Sequence, residues 1–268
     1  MTDQLRHYIN HWNLARDGEP FKSYSGLLQP VLYNGVACML KITRREKDKA
    51  GNALMAWWNG AGAAPVLRHD ENALLMERAA GGRSLSEMAK NGYDDETSRI
   101  ICTVAGQLHA HLGPYPQFLA PLEVRFKALS SAAKQQGGIF KNCNEVAGRL
   151  LAKPEDIVVL HGDIHHDNIL DFGQKGWLAI DPKGLLGERG FDYANMFCNP
   201  DHATATKPDR LMRQVRIVSA AAEIEPIRLL QWIAAWAGLS AAWAIEDGED
   251  PATAMSIAEL AVTNLNIM

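Results

Sequence analysis

Apolar positions in this chain shift in character near residue 80: before it short strand-like runs alternate with helical stripes, and beyond it they recur mostly at helical spacing. Leu5, Tyr8, Ile9, Trp12 and Leu14 form an approximate helical stripe over residues 3–16, predicting an amphipathic N-terminal helix that Asp17-Gly18-Glu19-Pro20 breaks. Residues 27–33 and 36–42 are apolar runs joined by Asn34-Gly35, a dipeptide suited to the left-handed angles of a tight hairpin turn. A helix is expected from about Glu46 to Trp58. Ala73-Leu74-Leu75-Met76-Glu77 then reads as a buried strand that gives way to the small-residue connector Arg78-Ala79-Ala80-Gly81-Gly82, a hinge. Ser84-Leu85-Ser86-Glu87 has the Ser-x-x-Glu pattern of a capping box.

Past that cap, Ile100, Ile101, Val104, Leu108 and Leu112 predict a core helix over residues 95–112, stopped by Gly113-Pro114. His109 and His111 lie on it, but side chains two apart on a helix point to different faces, which favours packing or surface roles over a metal site. Residues 115–155 read as helical fragments broken by Gly137-Gly138 and Pro154. Short buried strands are expected at Ile157-Val158-Val159-Leu160 and Trp177-Leu178-Ala179-Ile180. Everything beyond Asp181 looks helical, with helices over residues 210–222, 226–245 and 253–265, and Trp232, Trp236 and Trp243 read as helix packing.

The chain has 268 residues, 47% of them hydrophobic, enough for one large domain or two lobes with a substantial core. A net charge of -4 gives no basic footprint, so a small molecule is a better default partner than nucleic acid. No stretch approaches membrane-spanning length and no leader pattern opens the chain, so a soluble, cytoplasmic protein is expected. Cys38, Cys102, Cys143 and Cys198 are scattered without a Cys-x-x-Cys pair; free, mostly buried thiols follow.

Residues 161–168 read His-Gly-Asp-Ile-His-His-Asp-Asn, with Ile180-Asp181 thirteen residues after the Asn. Phosphoryl transfer needs a carboxylate beside the attacking hydroxyl and two oxygen ligands for magnesium, and Asp163, Asn168 and Asp181 supply them in that order. The fixed residues of such a loop arise by chance in roughly one chain in a hundred of this size, but here both carboxylates also fall at the ends of predicted strands. Lys41, near the end of the second hairpin strand and ahead of a helix, suits the ammonium that holds nucleotide phosphates. Glu46 or Asp48 would be its helix partner, with Glu46 preferred. Ser23-Tyr24-Ser25-Gly26 has one glycine and no Gly-x-Gly-x-x-Gly pattern, yet the amides and hydroxyls around Ser25 and Gly26 suit phosphate. His161 reads as a buried hydrogen-bonding strut. His165 is open between phosphate contact and loop packing, and His166 has no assigned role.

His161-Gly-Asp-Ile-His-His-Asp-Asn168 together with Ile180-Asp181-Pro-Lys-Gly-Leu-Leu-Gly-Glu-Arg-Gly-Phe-Asp-Tyr-Ala-Asn195 resembles the aminoglycoside phosphotransferase family, and within it the streptomycin 6-phosphotransferase and hydroxyurea resistance kinase branch. Ala53-Leu-Met-Ala-Trp-Trp58 and Leu74-Leu-Met-Glu-Arg-Ala79 extend the match over most of the chain. The resemblance implies an α+β, two-lobed protein-kinase-like fold: a nucleotide lobe with the hinge over residues 1–79, and a catalytic and substrate-binding helical lobe over 80–268. It implies ATP and Mg as cofactors, Asp163 as catalytic base, Asn168 and Asp181 on the metal and Lys41 on the phosphates. The backbone around Glu77 and Ala79 would hold adenine, and Asp192 would brace the catalytic loop.

Pro182-Lys183-Gly184 after Asp181 departs from the Phe-Gly of protein kinases, and no Ala-Pro-Glu segment follows, so a small-molecule kinase without a mobile activation switch is favoured. The expected substrate is an aminoglycoside, most readily streptomycin. For a cationic sugar of that kind, Glu246 and Asp247, with Glu249 and Asp250 nearby, are candidate substrate carboxylates; Glu188 and Asp201 are alternatives. A kinase of another small hydroxylated metabolite and a silent nucleotide-binding regulator stay open.

Overall fold

Asn34 and Gly35 have φ of 50° and 80°, the paired left-handed angles of a tight hairpin turn, and the small lobe is built on the hairpin they close. A computed structural model describes residues 3–23, 25–43 and 45–267. The small lobe contains α1 (Asp3–His11), β1 (Ala15–Arg16), β2 (Phe21–Lys22), β3 (Gly26–Tyr33), β4 (Val36–Thr43), α2 (Glu46–Trp58), β5 (Val66–His69) and β6 (Ala73–Glu77). Its antiparallel sheet has the order β1-β3-β4-β6-β5, with β2 also paired to β3.

Strand alternation decides which residues meet the nucleotide side. On β4, Cys38, Leu40 and Ile42 pack with Val31, Leu75 and the α1 residues Leu5 and Tyr8 in one cluster. Met39 and Lys41 point to the opposite face, where Lys41 stands in register between Leu28 and Leu74.

The N-terminal helix is shorter than its apolar stripe predicts. It stops at His11 because Asn13 turns left-handed, with φ 53°, and Ala15–Arg16 then pairs with Leu32 and Val31 as a sheet edge. β5 was also missed, its four residues being too short to display a clear alternation.

The larger part of the chain continues with α3 (Leu85–Met88), α4 (Asp94–His109), β7 (Ala120–Pro121), α5 (Lys127–Gln136), α6 (Gly138–Ala152), β8 (Ile157–Leu160), β9 (Ile169–Asp171), β10 (Trp177–Ala179), β11 (Leu185–Glu188), α7 (Gly190–Ala194), α8 (His202–Ala205), α9 (Arg210–Ala222), α10 (Pro226–Asp247) and α11 (Ala252–Ile267). Ser84 caps α3 by accepting from the Glu87 amide, while the Glu87 carboxylate turns to Lys90 at 3.2 Å and leaves the reciprocal half of the capping box unmade. The apolar middle of α10, with Leu229, Trp232, Ile233 and Leu239 fully buried, is the centre of this lobe. Its Trp residues pack as expected from the sequence: Trp232 meets Phe191 and Phe126, and Trp243 lies under Arg125.

Two readings need correction. α4 ends at His109, so Leu112 falls past the helix and is 94% exposed. The chain after Asp181 is not all helical either: Leu185–Glu188 forms β11, antiparallel to β8 and parallel to β7, a pairing that a four-residue stretch containing Gly187 does not advertise. No helix among the described residues is long and apolar enough to cross a membrane.

Asp94 joins the start of α4 to the start of α9. Buried to 5% exposure, it accepts from Arg210 Nε and Nη2 at 2.8 and 2.9 Å and from Gln214 Nε2 at 2.8 Å. Burial alone would raise its pKa, but the hydrogen bonds and charge of Arg210 outweigh it and hold the carboxyl below its ordinary value. A depressed carboxylate contributes stability above the unfolded-state pKa of about 3.9 and loses it as pH falls through the lower folded value. Asp94→Asn is therefore expected to cost about 3–5 kcal/mol in urea unfolding at pH 7. The gap between wild type and variant should narrow as the pH falls below about 4, whereas a gap independent of pH would contradict the assignment.

Candidate active site

A cavity of about 440 Å³ lies between the sheet and the larger lobe. Leu28, Met39, Leu74 and Met76 form its apolar wall on the sheet side, and Leu170 and Phe172 face them from the β9 hairpin. Glu77, Arg78 and Ala79 line its edge at the connector, and Ser23 and Ser25 border it from the β2–β3 turn. Lys41, Asn168 and Asp181 make its polar end. An apolar slot closed by a few converging polar groups suits a flat heterocycle with a charged tail.

The connector is pinned to the β9–β10 hairpin. Lys175 pairs with Glu77. Arg83 Nε reaches Asp171 Oδ2 at 2.8 Å while its guanidinium lies 4.8 Å over the Trp177 ring, and the Gly81 amide donates to the Asp171 carbonyl at 2.8 Å.

Asp163 and Asp181 share a cation. Lys183 Nζ is 3.2 Å from Asp163 Oδ2 and 3.2 Å from Asp181 Oδ2, and Lys41 pairs with the other oxygen of Asp181. Burial works against charge on both partners, yet the surroundings win: Lys41 and Lys183 hold Asp181 far below the usual carboxylate range, and the two aspartates raise Lys183 above its ordinary value. Asp163 Oδ1 also accepts from Asn195 Nδ2 at 3.0 Å, and Asn168 Nδ2 donates to the Asp163 carbonyl at 2.8 Å. Asp163 is thus fixed on both oxygens while its side chain stays 30% exposed.

The loop that carries Asp163 hangs from a buried carboxylate. Asp192 on α7 accepts the His161 amide at 2.9 Å and the Gly162 amide at 2.7 Å, and it meets His109 Nε2 at 2.9 Å. His161 is fully buried and stacks near Trp58. Its Nδ1 accepts from the Asp163 amide at 3.2 Å and its Nε2 lies 2.8 Å from the Ile180 carbonyl. Burial lowers its pKa, so a neutral ring that donates from Nε2 satisfies both contacts. His166 is buried beside Arg210, which together with desolvation pushes its pKa down to about 3; neither ring nitrogen has a partner among the described residues.

The comparisons agree with this architecture. The family model described as aminoglycoside/hydroxyurea antibiotic resistance kinase matches residues 11–248. The chain belongs to this family. It is 47% identical over 245 residues to a streptomycin 3''-kinase of Klebsiella pneumoniae, covering 90% of this chain and 92% of that one. It is 29% identical over 270 residues to a streptomycin 6-kinase of Streptomyces griseus, covering 95% and 85%. A thermostable mutant of the aminoglycoside phosphotransferase APH(4)-Ia, solved as a ternary complex with ADP and hygromycin B, has the same fold: the TM-score is 0.67 at 14% identity, covering 98% of each chain.

Within this small-molecule kinase, Asp163, Asn168, Asp181 and Lys41 come together through shared contacts, and all of them but Asp163 line the cavity along with Glu77, Ala79 and Ser25. The expected helix partner of Lys41 does not hold. Glu46 is exposed at the start of α2 and pairs with Lys49 at 2.8 Å, while Lys41 is taken by Asp181 across the cleft. Asp48, the alternative, is the buried carboxylate of that helix, but it does not reach Lys41 in a salt bridge. The Gly26 amide donates to Ser23 Oγ at 3.2 Å. Tyr24 lies outside the described residues.

His165 Nδ1 accepts from the Asp167 amide at 3.3 Å, a loop-packing role, and His165 does not line the cavity. Glu246 lines a separate groove with Arg125, Lys127 and Trp243, and Asp247 is exposed at the end of α10, so neither belongs to the cavity. Glu188 is buried against Arg228 and Trp232, and Asp201 caps α8 by accepting from the Thr204 amide at 2.8 Å.

Lys183, Asn195 and the His109 contact to Asp192 were not foreseen. Lys183 stood only as part of a departure from the protein-kinase pattern, although a lysine two residues after a metal-ligand candidate was a visible signal. His109 carried no signal, because its partner lies 83 positions away.

Gly51 sets how closely α2 approaches the Asp181 segment, since a Cβ there would lie 2.2 Å from the Pro182 carbonyl oxygen. Gly51→Ala is expected to destabilise the protein by about 1–3 kcal/mol through overpacking and to weaken ADP binding several-fold in calorimetry, by moving Lys41 and Asp181 apart. Unchanged ADP affinity would contradict the role given to this contact.

Proposed function

We propose that this kinase transfers the γ-phosphoryl group of ATP, with magnesium, to the 3''-hydroxyl of streptomycin. The observation that carries the reading is the 47% identity over 90% of the chain to the streptomycin 3''-kinase. The lower identity of 29% to the streptomycin 6-kinase favours the 3'' position over the 6 position. Asp163, joined through Lys183 to Asp181 at the polar end of the cavity, supports phosphoryl transfer to a hydroxyl.

Adenine would lie between the sheet wall and Leu170, against the main chain of Glu77 to Ala79, with Lys41 and Ser25 directed to the phosphates. The donor set fits magnesium. Asn168 and Asp181 offer hard oxygens, Asn168 uses its Nδ2 on Asp163 and so keeps its Oδ1 for a cation, and a magnesium site of this kind takes one or two protein oxygens and completes its shell with phosphate and water. Bound there, the ion would neutralise developing charge on the β- and γ-phosphate oxygens.

Asp163 need not be a strong base. In a loose transition state little bonding to the nucleophile has formed, so orienting the hydroxyl and balancing charge supply most of the acceleration, and the proton can pass to the carboxylate late. Asn195 and Lys183 serve this by fixing the carboxylate's direction. Purified protein is expected to release ADP only in the presence of streptomycin, with Asp163→Asn lowering kcat by about 10²–10⁴ and leaving ADP affinity within a few-fold. Equal turnover by the variant would overturn the chemistry assigned to Asp163, and turnover of another hydroxylated metabolite in place of streptomycin would overturn the substrate.

A further inference from the structure

Lys183 occupies a position that ground-state binding of nucleotide does not require. Lys41 already supplies an ammonium to Asp181 from the sheet side. Lys183 adds a second at the other carboxylate oxygen and, among the described residues, is the cation shared by Asp163 and Asp181. In the kinase reading of the site those two carboxylates mark the ends of the transfer path: the acceptor hydroxyl would lie at one and the magnesium-held phosphates at the other. An ammonium in contact with both stands beside the route between them.

Its placement is rigid. The Lys183 amide donates to the His161 carbonyl at 2.7 Å, and Leu185, two residues on, pairs with Leu160 in the β8–β11 ladder. The side chain is only 15% exposed, so its charge acts through little water. A fixed, partly desolvated cation is most effective where charge develops only in the transition state, because it needs no reorganisation at that moment.

We propose that Lys183 is a catalytic residue whose ammonium donates hydrogen bonds to the oxygens of the phosphoryl group in flight. As the bond from the acceptor oxygen to the γ-phosphorus forms, the bond from that phosphorus to the β–γ bridging oxygen breaks and its electron pair leaves on ADP. The hydroxyl proton goes to Asp163, and Lys183 stays protonated throughout. Its two carboxylate contacts in the ligand-free protein hold the ammonium in place until the phosphoryl group arrives. The proposal rests on the kinase reading of this site and not on the identity of the acceptor.

The test compares wild type, Lys183→Met and Lys183→Arg in binding ADP with magnesium, with and without aluminium fluoride, whose planar complex mimics the transferring phosphoryl group. Wild type is expected to bind ADP at least 10-fold tighter with fluoride. Lys183→Met should bind ADP alone within about 3-fold of wild type, lose that tightening, and show kcat lowered at least 100-fold with little change in KM for ATP, in keeping with the loss of a transition-state donor. Lys183→Arg, which keeps the charge, should retain part of the tightening.

Full tightening in Lys183→Met would overturn the proposal. So would a parallel fall in ADP affinity and thermal stability in both variants, which is the signature of a brace, and so would the absence of any tightening in wild type. Because the fluoride measurement needs no sugar, wild type that tightens on ADP but leaves streptomycin untouched would overturn the substrate reading alone.

Discussion

The buried carboxylate of Asp192 is the contact on which the site depends. One oxygen takes the His161 amide and the other the Gly162 amide, so the chain leaving β8 can run in only one direction. His109 brings α4 to the same carboxylate. The constraint then passes along the imidazole of His161, which takes the Asp163 amide at Nδ1 and holds the Ile180 carbonyl from Nε2. One buried carboxylate thereby fixes the approach to both Asp163 and Asp181. A buried charge left unpaired costs several kcal/mol, so this one, with its acceptors occupied, tolerates little rearrangement.

Charge balance sets the rest of the geometry. Asp163 and Asp181 face two ammonium groups, Lys41 from β4 and Lys183 from the turn before β11, and each lysine approaches from a different part of the fold. Strand alternation on β4 puts Lys41 on the cavity face, and the Lys183 amide bond to His161 fixes the other approach. The two lobes therefore meet through an ion pair, through the close contact of Gly51 with Pro182, and through the pinned connector at Arg83 and Asp171. An apolar slot is left between them.

Much of this was legible in the chain. The Asn34-Gly35 turn, the helix over residues 46–58 and the three C-terminal helices announce themselves by strong local signals, either a dipeptide that demands left-handed angles or a long run of one period. The loop from His161 to Asn168 stood out because its residues lie within eight positions of one another. What stayed hidden depends on partners distant in sequence. Nothing near Glu46 says that Lys41 turns to Asp181 instead, 140 positions away. β11 was invisible because its pairing with β8 and β7 supplies what four residues of its own cannot. Leu112 fitted the helical stripe by spacing alone, while the helix ended a turn earlier.

The product itself provides the sharpest measurement of the whole account. Streptomycin incubated with the protein, ATP and magnesium should yield a phosphate monoester whose phosphorus couples, in proton–phosphorus correlated NMR, to the proton on the 3'' carbon. Phosphorus coupled at any other position, or no streptomycin phosphate at all, would contradict it.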